Sequence, residues 1–221
     1  LSTMLGIDGR YYKGSHYQTV YDLMGGDYAI DASDKNQPVG LGYTEYSMKR
    51  EGDKISYHND AFVKWGGLFG QIEYKKAKWT AFVTGSFSRT GYQRIDYFKK
   101  KDLVLSDTTI AQAVGFGQTY TYNGADYTID SPEARNATTE QRWFNGFTLK
   151  GGANYNINDH HNVFVNAGFL SIAPKMNTVF DNNNREFFDI ENQEVSSVEL
   201  GYGFKSKKFS ANLNGYYTLW I

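Results

Sequence analysis

The chain has 221 residues, enough for one large β domain or two small ones, and a formal net charge of −1, which leaves it no overall electrostatic footprint for nucleic acid. It has no Cys, so disulfide frameworks, thiolate metal sites and Cys nucleophiles are excluded. The 18 Tyr, 15 Phe and 23 Gly beside only 3 Pro favour strands, and no run of about 18 apolar residues is present to form a transmembrane helix.

In chain order, the pattern predicts an antiparallel meander of about seven long strands, 2–13, 62–74, 79–93, 144–157, 163–173, 196–204 and 209–220. Three polar turns of about four residues join hairpins: Lys75-Lys76-Ala77-Lys78, Asn158-Asp159-His160-His161 and Lys205-Ser206-Lys207-Lys208. The other connections, 14–60, 95–142 and 174–193, are long. Structureless loops beyond about 12–15 residues are uncommon in compact soluble domains. Short turns on one side and long loops on the other are the habit of outer-membrane barrels. The first residue is Leu, 1–10 already reads as a strand, and the chain stops in the apolar strand sequence Tyr216-Tyr217-Thr218-Leu219-Trp220-Ile221. Both ends read as cut, so the expectation is a piece of a longer protein.

Strand side chains alternate with period two. In the last strand Phe209, Ala211, Leu213, Tyr217 and Leu219 share one face, and Ser210, Asn212, Asn214, Tyr216 and Thr218 the other. Trp79, Ala81, Val83, Gly85 and Phe87 alternate with Thr80, Thr84, Ser86 and Ser88, with Phe82 as the exception. Phe147, Leu149, Gly151, Ala153, Tyr155 and Ile157 alternate with Thr148, Lys150, Gly152, Asn154 and Asn156; Val198, Leu200, Tyr202 and Phe204 alternate with Glu199, Gly201 and Gly203. A charge on the lipid face at the bilayer midplane costs about 2–4 kcal/mol, so Lys150, Asn154, Glu199, Asn212 and Asn214 are expected to face a lumen. Residues 62–74 carry Phe62, Val63, Trp65, Leu68, Phe69 and Ile72 on both faces, which leaves that register open. Two aromatic girdles are expected: Tyr74, Trp79, Tyr155, Phe204 and Phe209 by the short turns, and Tyr92, Phe144, Tyr217 and Trp220 at the other rim.

An amphipathic sheet over a soluble core gives the same alternation, so the rival reading is a secreted or surface β-sandwich that binds carbohydrate. Strand length, loop asymmetry and aromatic placement select instead an all-β fold in which residues 1–221 form a partial transmembrane β-barrel, an open curved sheet with long extracellular loops. A barrel enzyme is a third reading, disfavoured because no nucleophile elbow, phosphate loop or dinucleotide fingerprint occurs; no catalytic residue is assigned.

Several segments resemble the barrel region of TonB-dependent outer-membrane receptors of the Bacteroidetes type. They are Leu5-Gly6-Ile7-Asp8-Gly9-Arg10-Tyr11-Tyr12-Lys13-Gly14, Val20-Tyr21-Asp22-Leu23-Met24-Gly25-Gly26, Trp65-Gly66-Gly67-Leu68-Phe69-Gly70-Gln71, Lys78-Trp79-Thr80-Ala81-Phe82-Val83, Arg94-Ile95-Asp96-Tyr97-Phe98, and Val198-Glu199-Leu200-Gly201-Tyr202-Gly203-Phe204 with Leu213-Asn214-Gly215-Tyr216-Tyr217. The resemblance implies a plugged barrel of about 22 strands in the bacterial outer membrane. It implies uptake of a scarce bulky ligand (a ferric siderophore, cobalamin or a glycan) driven by an inner-membrane energy-coupling complex. The plug, the coupling segment and the remaining strands have no counterpart in this chain. Lipid and lipopolysaccharide would be its partners, with no cofactor. The family's ligand contacts lie in variable loops, so ligand-binding residues stay unassigned.

Of the candidate sites, His160 and His161 point to opposite faces if extended, poor geometry for one metal. His16 and His58 fall in one long connection, where a joint site is left open. Asp181-Asn182-Asn183-Asn184-Arg185-Glu186 places Arg and Glu where a calcium loop needs an oxygen ligand and Gly, so it reads as an ordinary loop. Lys99-Lys100-Lys101 is either a contact for lipopolysaccharide phosphates or a solvated run balanced by Asp96 and Asp102. Tyr120, Tyr122 and Tyr127, with Asn123 and Asp126, suit ligand contact, and also a small hairpin turning at Asn123-Gly124. Asn136-Ala137-Thr138 matches a glycosylation acceptor that has no meaning in a bacterial outer membrane.

Overall fold

The structure is a computed structural model and describes residues 1–38 and 45–221. Residues 39–44, part of the expected 14–60 connection, lie outside the described residues. Strand β1 (Ser2–Thr19) leads through the short pair β2 (Ala29–Ile30) and β3 (Met48–Lys49) to β4 (Lys54–Lys76) and β5 (Trp79–Asp96). The next connection holds β6 (Lys101–Val104), β7 (Thr109–Val114), β8 (Tyr120–Tyr122), β9 (Ala125–Tyr127), β10 (Ala134–Arg135) and β11 (Ala137–Thr138). Strands β12 (Arg142–Asn156) and β13 (His161–Ile172) follow, then the one-turn helix α1 (Met176–Val179), β14 (Gln193–Lys205) and β15 (Ser210–Trp220).

The chain is all-β. Its seven long strands form one antiparallel sheet in the order β1-β4-β5-β12-β13-β14-β15, with β11 added beside β5. Each long strand pairs with the next long one in sequence, so the sheet is a meander. It is open: among the described residues β1 and β15 each pair on one side only. The strands run from 11 residues in β15 to 23 in β4, against a mode of about 5–6 in globular domains.

Two expected boundaries move. Residues 14–19 and 54–60 were expected in a loop, yet Gly14 to Thr19 continue β1 against Lys54 to Ala61. Their two faces do not alternate, so the sequence pattern vanishes while pairing continues. A bulge interrupts the ladder between Tyr17 and Gln18, where Ser56 takes φ 66° and its N–H donates to Asp31 Oδ2 at 3.0 Å. The 95–142 connection is also built rather than structureless. It carries the sheet β10-β6-β7, whose Leu103 and Val114 are fully buried, and the hairpin β8–β9, which turns at Asn123-Gly124 with positive φ at both residues. The first short turn is tighter than four residues. Lys76 pairs with Trp79 across Ala77 and Lys78, and Ala77 takes φ 51°.

Register fixes the two faces. Across the sheet, Ile72–Val83–Gly151–Ala167–Val198–Tyr217 form one rung, and Tyr74–Ala81–Ala153–Val165–Leu200–Gly215 the rung beside it. Leu5, Ile7, Leu68, Phe87, Phe147, Leu149 and Leu213 lie on this same apolar face and are exposed. The nine positions from Trp79 to Phe87 match the roughly 9–11 residues of a tilted membrane-crossing strand. The open register of β4 resolves with Phe62, Leu68 and Ile72 on the apolar face and Val63, Trp65 and Phe69 on the other.

The opposite face is polar. It carries Lys150, Asn154, Glu199, Asn212 and Asn214. Glu199 accepts bonds from Asn166 at 3.1 Å and Asn214 at 2.7 Å, Asn162 donates to Asn154 at 2.7 Å, and Thr84 donates to Gln71 at 3.0 Å.

The aromatic expectation holds at the short-turn rim, where Trp79 meets Tyr155 with ring centroids 4.6 Å apart and Phe204 meets Phe209 at 6.2 Å. It needs correction at the other rim. Tyr217 is on the apolar face, but Tyr92, Phe144 and Trp220 are on the polar one. Period two explains it: the rings on the apolar side at that rim are Trp143, one position out of phase with Phe144, and Tyr11 on the same rung. Tyr92 and Phe144 instead join Val179, Phe180, Val63, Met176 and Ile190 in a small core. That core lies between the sheet's polar face and the segment after β13, so this segment folds onto the polar side, while the side chains of the apolar belt stay exposed.

Candidate ligand-facing site

The long-loop ends of β1, β4 and β5 place Tyr12, His16, Asn59, Ala61, Val63, Arg94 and Asp96 side by side on the polar face. They floor a cavity of about 810 Å³, within the usual range for a bulky small ligand. Met176, Asn177 and Asn182 line it from the segment after β13, Ser33 and Lys35 from the segment after β1, and Phe98 and Lys99 from the segment after β5. A second recess of about 470 Å³ shares Tyr12 and Val63 with the first and continues along the same face to Arg10, Trp65 and Thr148. There the Arg10 guanidinium sits 5.0 Å over the Trp65 ring.

The walls are clipped to one another by hydrogen bonds. The Asn36 side-chain amide donates to Tyr97 O at 2.9 Å and Lys99 O at 2.7 Å. Asp96, almost fully buried, accepts from Phe98 N at 2.9 Å and Lys99 N at 3.1 Å. Arg94 reaches up to the roof. Its Nε donates to Asn184 Oδ1 at 2.6 Å, and an Nη donates to the Asp181 carbonyl. The site therefore offers cations, amides and aromatic faces around an apolar patch, a set suited to a ligand rich in acceptor oxygens with some bulk.

On the face opposite the cavity floor, Asp60 joins three segments. It accepts from Lys13 Nζ at 2.8 Å, Ser15 Oγ at 2.6 Å and Tyr97 Oη at 2.7 Å. The bond to this carboxylate pushes the Tyr97 phenol up to about 12. A raised folded value means the contribution is complete below the unfolded value near 10 and is lost as pH rises through about 12. Wild-type protein should therefore lose stability more steeply between those limits than Tyr97→Phe does. Parallel alkaline unfolding curves would show this, and equal slopes would contradict it.

The remaining candidates separate. His16 pairs with Asn59 on the cavity side, whereas His58 pairs with Tyr17 on the other face, so period two rules out a joint site. His58 Nε2 lies 2.7 Å from Lys54 Nζ, beside a polar recess of about 540 Å³ that includes Asp34, whose carboxyl burial pushes up. His160 Nδ1 lies 2.8 Å from Lys205 O, and His161 Nδ1 contacts the Tyr202 hydroxyl, both at the short-turn rim. Among the described residues no cluster of three or more metal-ligating side chains occurs. Asp181 folds the 181–186 segment around itself, accepting from Asn183 N at 2.7 Å and Arg185 N at 2.8 Å, which is ordinary loop chemistry.

Of the basic run, Lys99 donates to Asn183 Oδ1 at 3.0 Å and Lys101 to Ile129 O at 3.1 Å, so both are tied into the loop layer. Tyr120 and Tyr127 face each other in the β8–β9 hairpin, and Tyr122 donates to Asp107 at 3.2 Å; none lines the cavity. Thr138 belongs to β11, where its N–H donates to Asp102 Oδ2 at 2.7 Å. Sequence reasoning missed Tyr12, Asn59, Arg94 and Asn182 as a group, because residues far apart in the chain meet only through register and loop folding. Compared with known proteins, the chain matches no family model, no curated protein and no solved structure.

Proposed function

We propose that this chain forms consecutive wall strands of a bacterial outer-membrane transporter of the TonB-dependent receptor type, with its long connections forming part of an outer vestibule for a scarce bulky ligand. The observation that carries this reading is the bare apolar face, continuous over seven strands, with the segment after β13 packed on the opposite side. In water such a face exceeds what a monomer exposes, typically a few hundred Å². In hydrocarbon it is the face a barrel wall presents, and the polar side with its cavity becomes the lumen. The open edges of β1 and β15 would pair with further strands of the wall, since hydrocarbon satisfies no free N–H or C=O. Energy would come from an inner-membrane complex acting through a plug, and the wall would do no covalent chemistry.

The four Trp test it. Trp79 and Trp143 lie on the apolar face, Trp65 on the polar face. In single-Trp versions of the complete protein in vesicles, a quencher carried on lipid should quench Trp79 and Trp143 strongly and Trp65 weakly. A water-soluble quencher reaching Trp79 freely, with no effect of the lipid-borne one, would favour a sandwich module instead.

A further inference from the structure

Just beyond the apolar belt, towards the long connections, two rungs of the same face carry an unusual grouping. Tyr11, Lys64, Gly91 and Trp143 form one, and Gly9, Gly66, Arg89 and Asn145 the rung nearer the belt. The next rung is apolar: Ile7, Leu68, Phe87 and Phe147. Lys64 and Arg89 therefore sit diagonally on adjacent strands, about 7–8 Å apart at their bases, close enough for both tips to reach one anion. Neither forms an ion pair among the described residues, whereas the neighbouring Lys13 is held by Asp60 at 2.8 Å.

Glycines flatten the ground between them. A side chain added at Gly66 would meet nothing within 4 Å, and the Trp143 ring lies flat across Gly91, 2.7 Å from where a Cβ would stand. The Arg89 guanidinium lies 5.0 Å from the centre of that same ring, which turns its charge toward the shelf.

We propose that this shelf seats the phosphate group of a phosphorylated membrane lipid, whose acyl chains run down over Ile7, Leu68 and Phe87. The inference rests on the membrane reading of the apolar face and adds to it a specific site. The two cations hold a phosphate by charge-assisted bonds, and Trp143 and Tyr11 supply the ring surfaces that favour the headgroup layer. The belt begins one rung below, so headgroup and tail are met in the right order. In the run Lys99-Lys100-Lys101, the first place to look for such a contact, Lys99 and Lys101 are instead tied into the loops.

The test uses the complete protein in detergent micelles, titrated with diphosphorylated lipid A and, separately, with the same lipid stripped of phosphate. Lys64→Gln and Arg89→Gln should each weaken binding of the phosphorylated lipid about tenfold, the usual loss for one charge-assisted bond. The dephosphorylated lipid should bind the wild type no better than the double variant binds the phosphorylated one. Lys207→Gln/Lys208→Gln, at the opposite rim, should change nothing, and excess inorganic phosphate should leave the lipid bound. Retained affinity in the double variant, equal binding of the stripped lipid, or displacement by inorganic phosphate would each overturn the proposal. Heat-shifted gel mobility of every variant separates the two readings. A protein that inserts but ignores these substitutions loses only the lipid site, and one that never inserts loses the barrel as well.

Discussion

Val83→Arg is expected to cost the membrane-inserted protein about 2–4 kcal/mol, while Ser86→Arg, three residues on, costs under about 1 kcal/mol. Val83 lies midway along the apolar stretch from Trp79 to Phe87 and is 54% exposed. In water, a change at so open a position is worth about 0.5 kcal/mol or less. In hydrocarbon the guanidinium must be dragged toward a headgroup layer or carry water with it, at the depth where that is most expensive. Ser86 faces the polar side between Phe69 and Thr148, where an arginine stays wet. The two positions share a strand and a β-sheet environment, so propensity cancels and only the medium on each side differs. Equilibrium unfolding from vesicles measures the gap. Equal, small effects at both positions would mean that water bathes both faces, and the transporter reading would fall.

The strand system was legible because alternation along the long strands is strict, one face apolar at nearly every rung and the other polar. From Trp79 to Phe87 the odd positions all lie on the apolar face, and the sequence shows it. Legibility faded where that alternation ends. Gly14 to Thr19 and Lys54 to Ala61 continue the ladder through a single bulge, yet their two faces do not alternate and their sequence reads as loop. Phe144 illustrates the same limit at single-residue scale. Its size and its place near a strand end suited a girdle, but one step of register turned it inward onto Tyr92, at 6.1 Å between ring centres, and gave the rim position to Trp143.

The candidate site was less legible than the sheet, for a different reason. Its members come from β1, β4, β5 and three connections. No short-range spacing links Tyr12 to Asn59 or Arg94 to Asn184; cross-strand pairing and the fold-back after β13 do. The one loop feature visible in advance, the Asn123-Gly124 turn, is local chemistry, since left-handed φ at both central residues is what that dipeptide provides.

Arg94→Ala is expected to release the roof of the cavity without disturbing the wall. Arg94 stands at the long-connection end of β5 and grips the segment after β13 through Asn184 Oδ1 at 2.6 Å and the Asp181 carbonyl. Asn184 itself holds φ 60°, a conformation with a standing cost, and its amide donates to Ala137 O at 3.3 Å. Remaining ties run from Lys99 and Gln112 to Asn183, at 3.0 and 2.6 Å, and from Arg142 to the Glu186 carboxylate, and none of them holds Asn184 or the Asp181 carbonyl as the guanidinium fork does. Losing bonds from a charged donor should lower the local opening free energy by about 2–3 kcal/mol, so amide exchange across 181–187 should quicken roughly 30- to 150-fold. Exchange in β12 and β13 should stay as it was, because their ladders do not pass through Arg94. Arg94→Lys keeps the charge but loses the fork and should fall between. If the alanine variant protects 181–187 as well as the wild type does, the roof is held by its own turn around Asp181, and Arg94 is then free to meet a ligand directly.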